Sequence, residues 1–252
     1  MTDPIPEPET APSSAPAPAA FRLAYVPGVT PAKWVRIWQE RLPRVTLTLV
    51  TVTAAEAADV VRRGEADAGL VRLPIDRTGL NAIPLYTETT VVVVPKDHLV
   101  TAAEEVTAAD LADEFVLYPQ DDTLTWTDRP GEAATIVPAT TAEAIELVAA
   151  GVGVLIVPQS LARLHHRKDL TYRPLVEAPE SSVVLTWPEG DPSDLMEQFI
   201  GIVRGRTVNS TRTPQREEKK QPKKKPAQAK QGAPAKKAAA QRRPTRRGKP
   251  RR

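Results

Sequence analysis

Residues 140–164, TTAEAIELVAAGVGVLIVPQSLARL, leave this chain little freedom in how it folds. A helix start, a helix stop, a buried strand and a second helix start follow one another with no filler. Thr140 with Glu143 three positions on is the pairing in which a hydroxyl and a carboxylate each satisfy a backbone donor that a helix start leaves open. Ile145, Val148 and Ala149 recur at i, i+3 and i+4, giving one apolar face, and Gly151 stands where the chain leaves the helix through left-handed backbone. Residues 152–157 form a short apolar run, read as a strand covered on both faces as in a parallel sheet, and Pro158 ends it. A helix feeding straight into such a strand is half of a βαβ unit, whose ends are where open α/β sheets hold ligands. The chain is expected to be a binder on an α/β frame.

The rest of the chain extends that pattern. Residues 21–26 (FRLAYV) alternate as a first strand, and Pro27, Gly28 and Val29 turn the chain. Thr30 and Pro31 supply an N-cap and a proline at the first helical position, ahead of Trp34, Ile37, Trp38 and Leu42 on one face. Residues 47–52 are the next strand; Thr53 with Glu56 caps a helix that Gly64 ends, and residues 66–73 are an apolar strand interrupted by Arg72. Residues 81–86 and 89–95 bracket a short turn and are expected to pair. Thr107 and Asp110 start a brief helix, and residues 115–118 are a strand. The polar stretch 119–134 has no assignable element. Residues 170–175 and 183–187 read as strands, and Asp191 with Pro192 caps a last helix carrying Leu195, Phe199, Ile202 and Val203.

The two ends differ from this body. Residues 1–20 are Pro, Ala, Ser and acid without apolar periodicity or the basic start of an export signal, and are expected to be a disordered leader. Residues 211–252 hold 17 Lys and Arg against 2 Glu, a balance of +15 that leaves −12 on the remainder of a chain whose net charge is only +3. Such a tail has no core-forming residues and is expected to be disordered, whereas the acidic body repels nucleic acid. With no cysteine, disulfides, thiolate metal sites and cysteine nucleophiles are excluded, and the absent export signal makes the cytoplasm the expected compartment. The apolar run at residues 91–94 falls far short of the roughly 20 residues that span a bilayer.

Five motifs follow one another in a recognisable order: FRLAYVPGVT, GEADAGLVRLP, IPLYTETTVVVVPKDHLV, VTAADLADEFVLYPQ and LVAAGVGVLIVPQSLARL. Over residues 21–206 they resemble the effector-binding domain of LysR-type transcriptional regulators. The resemblance implies an α/β, two-lobed type 2 periplasmic-binding-protein-like fold with disordered N- and C-terminal tails. Lobe I is expected at about 21–98 and 178–206, lobe II at about 99–177, and a basic tail at 207–252. The chain would cross between lobes near residues 97–102 and return near 173–180. Only twenty residues precede the first strand, where the family carries a winged helix-turn-helix, and residues 119–134 are short for the family's usual helix.

In the family the ligand lies against turns at strand ends and helix starts, which suits helix N-termini as anion sites. That singles out Gly28, Val29 and Thr30 on the first turn, with a plain N-cap as the alternative for Thr30. Thr140 and Thr141 would face them from the other lobe, with the same alternative. Arg72 is the sharper case, because a guanidinium within an apolar strand requires an anion: either a ligand, or a carboxylate such as Asp76 or Glu88. Tyr118, Gln120 and Trp126 are candidates for the second lobe's wall, with ordinary packing as the alternative.

No Walker-type loop, G-x-S-x-G elbow or H-E-x-x-H helix is present, so no catalytic residue, metal site or cofactor is expected; His165 and His166 point apart on a helix. In the tail, Lys223, Lys224, Lys225, Lys236, Lys237, Arg242, Arg243, Arg246, Arg247, Arg251 and Arg252 are expected to neutralise phosphates without reading sequence. Lacking aromatics, the tail offers unpaired bases no stacking platform. The expected function is that of a non-enzymatic regulator binding a small anionic effector between two lobes, pairing as a homodimer as family members do, and held to nucleic acid by its tail. The alternative is a ligand-free interaction or dimerisation scaffold tethered to a ribonucleoprotein or another anionic partner.

Overall fold

The computed structural model describes residues 20–206 and contains two five-stranded sheets. Both expected tails lie outside these residues. The first sheet is built from β1 (Ala20–Tyr25), β2 (Thr46–Thr51), β3 (Ala68–Arg72), β4 (Leu80–Glu88) and, from much later in the chain, β10 (Ser181–Pro188). Its order is β2-β1-β3-β10-β4; β1 runs parallel to β2 and β3, while β10 is antiparallel to both its neighbours. Two crossover helices, α1 (Ala32–Arg41) and α2 (Ala57–Arg62), join the parallel strands, and α5 (Asp194–Val203) is the last element among the described residues. The alternation seen in FRLAYV places Phe21 and Leu23 in the core and leaves Arg22 outside. Phe21, Trp38 of α1 and Phe199 of α5 then form an aromatic knot with ring centroids 4.8, 5.2 and 5.9 Å apart.

The second sheet takes the middle of the chain: β5 (Thr90–Pro95), β6 (Phe115–Leu117), β7 (Glu132–Ala133), β8 (Val154–Pro158) and β9 (Leu170–Pro174), in the order β7-β6-β8-β5-β9. Period-two alternation splits its apolar residues between two cores. Val91, Val93, Leu155 and Val157 pack under α3 (Thr141–Ala149) and α4 (Gln159–Leu164), whereas Val92, Val94, Val154 and Ile156 pack on the opposite face with Leu111, Leu124 and Leu175. β8 is buried along its whole length, as its composition requires, but only β6 runs parallel to it; β5 is antiparallel. The turn before it admits no side chain, since a Cβ on Gly153 would lie 2.3 Å from the Phe115 carbonyl oxygen.

The cap at the start of α3 forms as its sequence predicts. Thr140 Oγ1 accepts from the Glu143 amide at 3.2 Å, and Glu143 Oε2 accepts from the Ala139 amide at 2.7 Å. Other caps shift, that of α2 among them, where Glu56 rather than Thr53 stands at the N-cap without a side-chain hydrogen bond. Pro31 occupies the N-cap of α1 with no side-chain hydrogen bond, so Thr30 does not cap it, and Ser193, rather than Asp191 with Pro192, caps α5 by accepting from the Met196 amide.

A larger correction concerns β4 and β5, which do not pair. β4 lies beside β10 in the first sheet, and β5 lies between β8 and β9 in the second. Only Thr89 separates them, one residue fewer than the shortest common hairpin loop needs, so the chain runs on into the other sheet instead of reversing. The first crossing is therefore at Thr89 and not near residues 97–102, which form a turn on the second sheet, and the lobe I boundary expected at 98 moves back to Glu88. The return crossing runs through the residues between β9 and β10.

Candidate functional site

Arg72 ends β3 where both crossings converge. Its guanidinium is buried, and both terminal nitrogens are engaged. Nη1 donates to Glu88 Oε2 at 2.7 Å and to Ser181 Oγ at 2.9 Å, and Nη2 donates to the Pro27 carbonyl at 3.1 Å and to Ser160 Oγ at 2.8 Å. Ser160 Oγ donates in turn to Glu88 Oε2 at 2.8 Å, closing the ring of contacts. Glu88 stands at the first crossing, Ser181 at the second, and Ser160 on α4 of the second lobe, so one side chain ties both lobes and both connections. The Arg72 and Glu88 side chains are only 2% and 9% exposed, and a buried guanidinium is tolerated there because its charge is matched and both terminal nitrogens have acceptors. Gly28 makes the approach possible. A Cβ at that position would lie 2.6 Å from Ser160 Oγ and 2.8 Å from Arg72 Nη2, and its φ of +84° is itself one that side chains avoid.

Beside this cluster lies a groove of about 300 Å³ walled by both lobes. Thr53, Ala54, Ala55, Arg72, Leu73 and Pro74 come from the first lobe, and residues 120–125 of the loop after β6 come from the second. Asp121 and Asp122 bring negative charge to the second wall. Asp121 Oδ1 accepts from Thr141 Oγ1 at 2.9 Å, and Asp122 Oδ1 accepts from the Leu124 amide at 2.9 Å. Burial raises the Asp122 carboxyl above its ordinary range, with the Leu124 amide and Arg129 acting against that shift. Thr123 Oγ1, on the same wall, is buried without a hydrogen-bond partner.

Of the residues singled out in the sequence, Arg72 and Gln120 line this groove. Val29 is buried in the first lobe's core, Gly28 packs against the Arg72 cluster, and Thr30 is exposed. Tyr118 lies on the far side of the loop, where its hydroxyl donates to the Pro130 carbonyl at 2.6 Å and Arg129 sits 4.3 Å from the ring centroid. Burial pushes that phenol up to about 12. Trp126 packs, partly buried, against the core of the second sheet that holds Val92 and Leu124, Thr140 serves as the helix cap, and the Thr141 hydroxyl is taken by Asp121. Sequence reasoning missed Ser160, Ser181 and the acidic pair. The adjacent aspartates in a polar, turn-rich stretch were the one local signal available for the wall. Among the described residues no group of three or more His, Asp or Glu side chains is placed to hold a metal, and no helix is long and apolar enough to cross a membrane.

Residues 21–207 match the family model of the LysR substrate binding domain. The chain belongs to that family. This LysR domain is 26% identical over 192 residues to the Hca operon transcriptional activator HcaR of Escherichia coli (strain K12), covering 71% of the chain and 64% of that protein. It is 32% identical over 160 residues to a probable hydrogen peroxide-inducible genes activator of Mycobacterium avium, covering 59% and 51%. The LysR domain thus spans between half and two thirds of the length of these relatives, both of which are named as activators. The effector-binding domain of BenM, solved with its effector benzoate, superposes with a TM-score of 0.63 at 20% identity over 74% of this chain and 91% of that one. The two sheets and their double crossing are the type 2 periplasmic-binding-protein-like architecture of that domain.

Proposed function

We propose that this LysR domain is the sensing body of a transcriptional regulator, acts in the cytoplasm without a cofactor or catalytic step, and takes a small-molecule effector in the groove between its lobes. The observation that carries this reading is the groove itself: about 300 Å³ of space walled by strand and helix ends of both lobes, within the range of small-ligand sites. The naming of benzoate as the effector of the BenM domain supports small-molecule sensing as the class of activity.

The sequence predicts an anionic effector, from helix N-termini as anion sites and from Arg72 as a candidate clamp. Glu88 matches the charge of Arg72, and Asp121 and Asp122 stand on the facing wall, so the groove suits a neutral or amine-bearing molecule better than a carboxylate. Titration calorimetry with putrescine and with benzoate tests this. Putrescine is expected to bind, and the exposed Ala55→Trp substitution, which fills the groove, is expected to abolish that heat. Benzoate heat that Ala55→Trp removes would restore the anionic reading. Absence of groove binding by either probe would favour the ligand-free scaffold.

The basic segment 211–252 lies outside the described residues, and its proposed role rests on composition. We infer that it holds the domain, paired as a homodimer, near nucleic acid through counterion release. Truncation after Thr211 is expected to abolish retention of a DNA duplex in a mobility-shift assay, and the full chain is expected to lose affinity steeply as salt rises. Equal affinity in the two proteins would reject the role.

A further inference from the structure

A second cavity, of about 350 Å³, opens on the second lobe and shares no lining residue with the groove. Its position follows from the register. Pro95, at the end of β5, pairs with Leu170, at the start of β9, whereas Thr90, at the other end of β5, pairs with Pro158 beside the crossing. Lys96 therefore lies roughly 20 Å along the strand direction from the crossing, at the pole of the lobe. The floor is apolar: Val93, Ile145, Ala162 and Leu170 are all core residues whose outer surfaces end there. The rim is formed by Lys96, His165, His166 and Arg167; both histidines stand past the end of α4 rather than on a helix, which is why they reach the same cavity.

The rim groups differ in how far they are committed. Arg167 is held by Glu146 and by Asp169, the latter at 3.0 Å, and its charge is spoken for. Lys96 is exposed and makes no ion pair within 4.0 Å among the described residues, although after Arg167 its charge helps hold the Asp169 carboxyl below its ordinary range, and neither histidine forms a side-chain hydrogen bond among the described residues. A buried apolar floor beside uncommitted donors on one side is the arrangement that orients a molecule with an apolar body and a single anionic head.

We propose that this cavity at the pole of lobe II is a second ligand site, separate from the groove, that takes a small organic monoacid with its hydrocarbon part on Ala162 and Leu170 and its carboxylate toward Lys96 and the two histidines. The pairing of chemistry with place is what sets it apart: the groove wall carries Asp121 and Asp122, and the pole carries Lys96 beside His165 and His166.

Phenylacetate and its uncharged amide, phenylacetamide, are the probes, followed by calorimetry and by backbone amide NMR shifts on the full chain. Phenylacetate is expected to bind at millimolar concentration and to move the amides of α4 and of the β9 start. Lys96→Glu, on an exposed side chain that leaves the core intact, is expected to weaken it roughly tenfold, the worth of one charge-assisted contact. The amide is expected to bind much more weakly, and Ala55→Trp to have no effect. The proposal is overturned if phenylacetate produces no shifts at the pole, if Lys96→Glu leaves its affinity unchanged, if the amide binds equally well, or if Ala55→Trp abolishes binding. That last result would place the acid in the groove and leave the sensing reading standing without this one.

Discussion

Replacing Arg72 by methionine is expected to cost about 3–5 kcal/mol of folding free energy, because Glu88 would remain buried with no counter-charge. The side chain cannot relax toward water from its place between the crossings, and Ser160 and Ser181 would each lose a partner at the same time. Replacing both members together, Arg72→Met with Glu88→Leu, should recover most of the loss, since it removes the stranded charge as well as its mate. Urea unfolding monitored by circular dichroism gives both numbers. A single-variant loss below about 1 kcal/mol would mean that the pair is hydrated as a surface pair is, contrary to its burial.

The second large effect is expected at Trp38. Its ring is fully buried between Phe21 and Phe199, and its Nε1 donates to the Val45 carbonyl at 3.0 Å, so Trp38→Ala opens a cavity and orphans an acceptor together. A loss of about 3–5 kcal/mol follows from large-to-small substitution in a close-packed core. For a body of this size that corresponds to a fall in Tm of roughly 10 °C or more by scanning calorimetry. A fall of only a few degrees would show that α1 and α5 can close over the space, and that the aromatic knot is not the anchor of the first lobe.

These two sites show what the sequence made legible. Trp38 was readable, because a helix repeats every 3.6 residues and its apolar face must meet a core. The same local logic located the cap at Thr140, the left-handed exits at Gly64 and Gly151, and β8. What failed was partnership. The apolar run of β5 says that it is buried, and nothing in it says which sheet receives it. A carboxylate partner for Arg72 was foreseeable within its neighbourhood, whereas Ser160 lies 88 positions away and meets it only because two lobes come together. The loop 119–131 had no periodicity to read, yet it supplies a wall of the groove, since a wall needs polar side chains at fixed places and not a repeat. Caps such as Ser193 slipped by a residue or two because Asp, Ser and Pro all compete for the same helix start.

The Arg72 junction also has a bearing on movement. A clamshell that swings wide must part its halves near the hinge, and here the hinge is bolted: to separate α4 from β3 the protein must break contacts to Ser160 and expose an ion pair that water would have to rescue. Opening that separates α4 from β3 breaks those contacts, whereas a pivot about Ser160 keeps them. A molecule lodged between the halves would report its presence as a small change of tilt carried by two stiff bodies, a signal suited to re-aiming whatever is attached to them and ill suited to swallowing a guest.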